Sequence, residues 1–167
     1  MREFIGVGGV VLTADEYGSE EHPCVVLLPG IMQTRKVWVS AAKALAQAGR
    51  YVISLDLRGH GGSESPKDCN YSLDAFMGDL VAVLAQLESR PVVVGSNFGG
   101  WIGLAALGNT SAPIATGLVL TNPPPEFQSL NNKSIDKTVS ERASTEDFDQ
   151  GLFAGGFDFI ELQNKLE

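Results

Sequence analysis

Residues 92–100 are Val92-Val93-Val94-Gly95-Ser96-Asn97-Phe98-Gly99-Gly100. Three consecutive valines are apolar and β-branched, which is typical of a short buried strand in a parallel sheet. Gly95 and Gly99 flank Asn97 at the spacing of a sharp turn whose neighbouring residues must be small and whose central side chain projects above the sheet. A helix that begins there places that side chain at its positive end. The stretch therefore predicts a strand, a turn and a helix that present Asn97.

Three further segments, at residues 27–35, 55–63 and 71–74, carry a resemblance to a known family. They are Leu-Leu-Pro-Gly-Ile-Met-Gln-Thr-Arg, Leu-Asp-Leu-Arg-Gly-His-Gly-Gly-Ser and Tyr-Ser-Leu-Asp. With the turn at residue 97, they occur in the order seen in α/β-hydrolases, and the chain resembles the N-terminal half of that family, closest to its esterases and cofactor-free haloperoxidase-like members. The resemblance covers about residues 1–125 and makes the turn a nucleophile elbow.

The pattern of strands and helices predicts an α/β fold with a mostly parallel sheet flanked by helices. Strands and helices alternate between residues 24 and 121, and this order implies right-handed crossovers. The resemblance adds an opening antiparallel hairpin within residues 2–15 and implies a sheet that is truncated after about its sixth strand. The predicted strands are 24–28, 51–55, 92–94 and 117–121, with a loop at 17–23. The predicted helices are 37–48, 72–89, for which Ser72 is the N-cap, and 100–107.

Length and composition limit the partners. The 167 residues suffice for one domain with a core, and the net charge of −8 argues against nucleic acid and anionic membrane surfaces. No apolar run is long enough to span a bilayer, and the N-terminus lacks the apolar core of a signal peptide. Cys24 and Cys69 do not form a disulfide framework, so a reducing cytoplasm is the expected location.

The resemblance assigns roles to six residues. In the parent reaction residue 97 attacks the carbonyl of a small acyl or ester substrate, and the backbone N–H groups of Ile31 and Phe98 hold the oxyanion. Gly30, Met32 and Trp101 are expected to contact the substrate. No metal or organic cofactor is implied. The alternative interpretation of Pro29-Gly30 is that it is simply a turn.

Two parts of the catalytic machinery are missing from the sequence. The amide nitrogen of Asn97 is delocalised and a poor nucleophile, and Ser96 lies one residue early in the turn. Only His22 and His60 are present, and both precede the elbow, whereas the family's base follows it. His60 matches a fixed loop histidine of the family rather than the triad histidine. Asn122, at an alternative acid position, is not ionisable.

Residues 126–167 differ from the rest of the chain because they are first polar and charged and then rich in aromatic residues. They are interpreted as the start of a cap over the pocket or as a partly disordered tail, so the expected domains are 1–125 and 126–167. Three accounts of the whole remain open. The chain is a fragment of a full hydrolase, a non-catalytic relative that binds a ligand or partner, or a relative of the dehalogenases and epoxide hydrolases in which Asn97 replaces aspartate. A truncated sheet exposes an edge, so self-association or a complementing C-terminal half is expected.

Overall fold

The structure, a computed structural model, describes residues 1–121. Its six strands form one sheet in the order β1-β2-β4-β3-β5-β6, in which β1, β2 and β4 pair antiparallel and β4, β3, β5 and β6 pair parallel. The predicted mostly parallel α/β sheet is confirmed. The elements are β1 (Arg2–Ile5), β2 (Val11–Tyr17), β3 (Cys24–Leu28), α1 (Val39–Gln47), β4 (Tyr51–Leu55), α2 (Leu73–Ala85), β5 (Val92–Ser96), α3 (Phe98–Gly108) and β6 (Gly117–Thr121).

The sequence placed most element boundaries to within two residues, including β5, which ends at Ser96 rather than residue 94, and α3, which begins at Phe98 rather than residue 100. The first helix begins at Val39 rather than residue 37, because Arg35–Trp38 form a 3-10 turn. Strand β2 continues to Tyr17, inside the predicted loop, because Ala14 to Tyr17 pair with β4. Helix α2 starts after Ser72, whose hydroxyl accepts a hydrogen bond from the Ala75 amide at 3.3 Å as predicted for an N-cap, but the helix ends at Ala85 rather than residue 89.

The core has two parts, one on each face of the sheet. Alternate residues of β3 separate between them, since successive side chains of a strand point to opposite faces. Cys24, Val26 and Leu28 pack with α2 and α3, whereas Val25 and Leu27 pack with α1. The crossover helices thus cover both faces, which leaves the carboxyl ends of the parallel strands free to carry loops.

Buried charges brace the loop that follows β4. The carboxylate of Asp56 is fully buried and accepts hydrogen bonds from the backbone amides of Arg35 at 2.6 Å and Gly62 at 2.7 Å, as well as from the Arg35 guanidinium. Arg58 is 2% exposed and forms two parallel 2.6 Å hydrogen bonds to Asp79 of α2. These contacts tie the loop to the sheet and to α2.

No helix within residues 1–121 combines the length and the apolar character that a membrane crossing requires.

Candidate active site

The turn between β5 and α3 is a strained elbow centred on Asn97. Asn97 has φ 49° and ψ −115°, a backbone conformation that an L-residue adopts only when its surroundings impose it. The two flanking glycines leave no room for a side chain. A Cβ on Gly95 would lie 2.4 Å from the Gly100 nitrogen, and one on Gly99 would lie 2.5 Å from the Pro29 carbonyl oxygen. The turn predicted from the glycine spacing is therefore present, and its geometry is that of a nucleophile elbow.

The side chain of Asn97 folds back onto the start of α3. Its Oδ1 accepts a hydrogen bond from the Phe98 backbone amide at 2.7 Å. The backbone N–H of Asn97 donates a hydrogen bond to the Thr121 carbonyl at 3.0 Å. The backbone carbonyl of Asn97 accepts one from the backbone N–H of Trp101 at 3.1 Å. The Phe98 N–H, which the resemblance assigns to the oxyanion, thus donates to the chain's own carboxamide.

The loop after β3 lies directly against the elbow. Gly30 is buried, and a Cβ on it would lie 3.4 Å from the Cβ of Asn97 and 2.8 Å from Oε1 of Gln33. That same Oε1 accepts a hydrogen bond from the Gly30 amide at 2.9 Å, which closes the turn from within. The structure therefore brings Gly30 and Asn97 together.

The remaining predicted contacts surround this pair less closely. Ile31 and Met32 form the exposed tip of the loop, with exposed fractions of 58% and 89%, and Met32 has φ 59°. Trp101 is partly buried in the first turn of α3. The contact of Met32 and Trp101 with a substrate stays a prediction, as does the role of the Ile31 amide.

His60 connects two loops of the site, a contact that the sequence analysis did not predict. Its Nδ1 lies 2.9 Å from the Arg58 carbonyl oxygen, and its Nε2 accepts a hydrogen bond from the Met32 amide at 3.2 Å. A carbonyl oxygen only accepts, so the tautomer with its proton on Nδ1 satisfies both contacts of the ring. The contact joins residues 28 positions apart, and no local pattern encodes it.

The other candidate groups are not placed for catalysis. Ser96 is the last residue of β5 and pairs with Thr121, so it lies on the strand side of the turn. Burial raises the pKa of the Cys24 thiol to about 12, which keeps it protonated and unreactive. Within residues 1–121 there is no group of three or more histidine, cysteine or acidic side chains that could hold a metal ion. Asn122 and the segment 126–167 lie outside the described residues.

Comparison with known proteins identifies the fold. A family profile described as "alpha/beta hydrolase fold" matches residues 23–166, which is most of the chain. The chain belongs to the α/β-hydrolase family. The elbow at Asn97 follows β5 and the loop at Gly30 follows β3, at the carboxyl ends of two neighbouring parallel strands.

Two curated relatives of this α/β-hydrolase show how much of the chain is matched. It is 30% identical over 100 residues to the AB hydrolase superfamily protein YfhM of Bacillus subtilis, and 34% identical over 97 residues to Epoxide hydrolase A of Mycobacterium tuberculosis. These matches cover 59% and 57% of this chain but 35% and 30% of those proteins. The chain thus spans about a third of the length of these curated relatives.

Solved structures agree with the fold assignment. An esterase from Exiguobacterium antarcticum superposes with a TM-score of 0.67 at 25% identity, over 72% of this chain and 44% of the esterase. Epoxide Hydrolase A from Mycobacterium thermoresistibile superposes with a TM-score of 0.66 at 25% identity, over 77% of this chain and 44% of that protein. The chain therefore matches less than half of each structure.

Proposed function

We propose that this chain forms the nucleophile half of an α/β-hydrolase site whose parent reaction is the hydrolysis of a carboxylic ester or a related acyl compound. The observation that carries the proposal is the backbone of Asn97, held at φ 49° and ψ −115° between two glycines that admit no Cβ. Strain of this kind persists at functional sites because the surrounding structure enforces it. In the parent mechanism residue 97 attacks the substrate carbonyl, and the N–H groups of Ile31 and Phe98 stabilise the oxyanion.

The chain with Asn97 is proposed to be inactive on its own. A carboxamide does not supply the nucleophile, and no histidine follows residue 97 to act as the base. His60 is engaged by the Arg58 carbonyl and the Met32 amide. Loss of the nucleophile or of the base each removes most of the catalytic rate in a triad enzyme.

The proposal also covers the domain organisation, the substrate, the location and the association of the chain. We assign residues 1–125 to the hydrolase core and 126–167 to the beginning of a cap. For the protein as a whole we propose a small-molecule substrate, no cofactor and a cytoplasmic location. A complementing segment would supply the acid and the histidine, or the chain would associate with itself through its sheet edge. Gel filtration of the chain should show species larger than a monomer, and a compact, cooperatively unfolding monomer would contradict this part.

A second candidate is epoxide or haloalkane hydrolysis with an aspartate nucleophile, of which Asn97 is the amide. Asparagine has the shape of aspartate, and relatives of this chain are named epoxide hydrolases. The third candidate is a non-catalytic protein that binds a ligand or a partner. It is favoured by the hydrogen bond from the Phe98 amide to Asn97 Oδ1, because this bond occupies a group that catalysis would need free.

A chimera distinguishes these candidates. Residues 1–121 are fused to the part of the Exiguobacterium antarcticum esterase that follows its matching segment, and residue 97 is asparagine, serine or aspartate. The proposal expects hydrolysis of p-nitrophenyl butyrate with Asn97→Ser and none with asparagine. Hydrolysis of styrene oxide by Asn97→Asp alone would favour the second candidate. Folded chimeras that are inert with both substrates would contradict the elbow's catalytic role and favour the binding protein.

A further inference from the structure

The tip of the loop after β3 is held in a conformation that needs external support. Met32 has φ 59°, in the left-handed region that L-residues other than asparagine and aspartate rarely occupy. Its side chain is 89% exposed, so side-chain packing contributes little to holding it. The hydrogen bond from its amide to Nε2 of His60, at 3.2 Å, joins this tip to the loop after β4.

The Nδ1 side of the His60 ring contacts a part of the backbone that buried hydrogen bonds hold in place. Nδ1 lies 2.9 Å from the carbonyl oxygen of Arg58. The guanidinium of that arginine is buried, makes two 2.6 Å bonds to Asp79 and donates to the Asn70 carbonyl at 2.8 Å. Arg58 therefore cannot shift easily, and the position of its carbonyl fixes the direction of the imidazole.

The two contacts require one protonation state. The Arg58 carbonyl needs a donor at Nδ1 and the Met32 amide needs an acceptor at Nε2, so the neutral ring with its proton on Nδ1 satisfies both. We infer that His60 is a positioning residue, which holds the loop tip of Ile31 and Met32 against the elbow through its unprotonated Nε2. The inference rests on the proposed function for the assignment of the Ile31 amide as an oxyanion donor.

The first test measures the protonation state of the two ring nitrogens of His60 in the ¹⁵N-labelled chain. Nuclear magnetic resonance should show a protonated Nδ1 and an unprotonated, hydrogen-bonded Nε2 at neutral pH. This measurement needs no variant, so it does not depend on whether a substitution folds. A proton on Nε2 would overturn the inference.

A matched pair of variants separates the two contacts of the ring. In His60→Gln the side-chain oxygen reaches the place of Nε2 and can still accept from the Met32 amide, whereas His60→Asn is shorter and reaches only the place of Nδ1. We expect His60→Asn to speed hydrogen exchange of the Met32 amide about fivefold, the factor that corresponds to one ordinary hydrogen bond. His60→Gln should restore slow exchange. Equal exchange in both variants would overturn the inference.

Titration with phenylphosphonate distinguishes this inference from the proposed function. The titration uses Asn97→Gly, which removes the carboxamide from the Phe98 amide, with and without His60→Asn. The expected result is that phenylphosphonate shifts the Ile31 and Phe98 amide signals and binds several-fold more weakly when His60→Asn is added. Equal binding in the two proteins would overturn the role of His60 and leave the proposed function standing. No binding at all, together with the expected ring state and exchange rates, would support the positioning role of His60 and contradict the proposed function.

Discussion

Replacing Gly99 by alanine tests the close approach between the elbow and the loop after β3. Gly99 is the second residue of α3, and a Cβ there would lie 2.5 Å from the Pro29 oxygen and 2.6 Å from the Leu28 oxygen. Both atoms belong to the backbone, so neither can rotate away as the end of a side chain could. The helix or the loop must therefore shift.

The structure sets the size and sign of the effect. Forcing an extra carbon into a filled space costs about 1–3 kcal/mol, and contact with backbone atoms favours the upper part of that range. Alanine gains about 1 kcal/mol over glycine inside a helix, which offsets part of the cost. We expect Gly99→Ala to lower the free energy of unfolding by about 1–2 kcal/mol.

Gly108 at the other end of the same helix provides the control. Within residues 1–121, no atom beyond the adjoining helix backbone lies within 4 Å of a Cβ placed there. Gly108→Ala therefore keeps only the gain and should raise the free energy of unfolding by up to about 1 kcal/mol. Urea denaturation followed by far-ultraviolet circular dichroism measures both variants against the unchanged chain. If Gly99→Ala is as stable as Gly108→Ala, the described packing of α3 on the loop after β3 is wrong.

Four other substitutions or treatments have defined outcomes. Asp79→Leu leaves the buried guanidinium of Arg58 without its carboxylate, and urea denaturation should show a free energy of unfolding lower by about 3–5 kcal/mol. Adding Arg58→Met should recover part of that loss. If the effects of the two substitutions simply add in the double variant, the pairing of Arg58 with Asp79 is contradicted. A disulfide reagent should label the exposed Cys69 quickly and the buried Cys24 only on unfolding. Burial raises the pKa of Cys24 to about 12, so as the pH rises the thiol ionises in the unfolded chain before it ionises in the folded one. The free energy of unfolding should therefore fall as the pH rises above about 8.5, and Cys24→Ala should reduce that fall. Asn97 should show no one-dalton mass increase after mildly alkaline incubation, because deamidation requires the Phe98 nitrogen to lose the proton that it donates to Oδ1 of Asn97. Such an increase would favour the aspartate account.

Local signals in the sequence were enough to predict the sheet and the elbow. Strand β3 has the bounds predicted for it, because a short apolar run next to turn residues specifies a buried strand without reference to the rest of the chain. The elbow was predictable because the spacing of Gly95 and Gly99 is itself a local signal, although the backbone atoms that exclude a Cβ at Gly99 belong to the distant loop after β3. Ser72 was predictable as an N-cap for the same local reason.

Contacts between distant segments could not be derived in this way. Arg58 binds Asp79, which lies 21 residues further on in α2, and no local pattern pairs the two. The hydrogen bond between His60 and the Met32 amide depends on how the loop after β3 and the loop after β4 are positioned relative to each other, which the order of residues does not reveal. The side chain of Asn97 is a further case, since several rotamers fit the sequence and the structure selects the one that reaches the Phe98 amide.

The central claim is that the elbow of this chain presents a residue that cannot attack a substrate. The most direct test is the rate of p-nitrophenyl butyrate hydrolysis by the unchanged chain and by Asn97→Ala, measured over a range of substrate concentrations. The account predicts that both proteins give the rate of buffer alone, with no saturation and no burst of product. Saturable turnover that Asn97→Ala abolishes would contradict it.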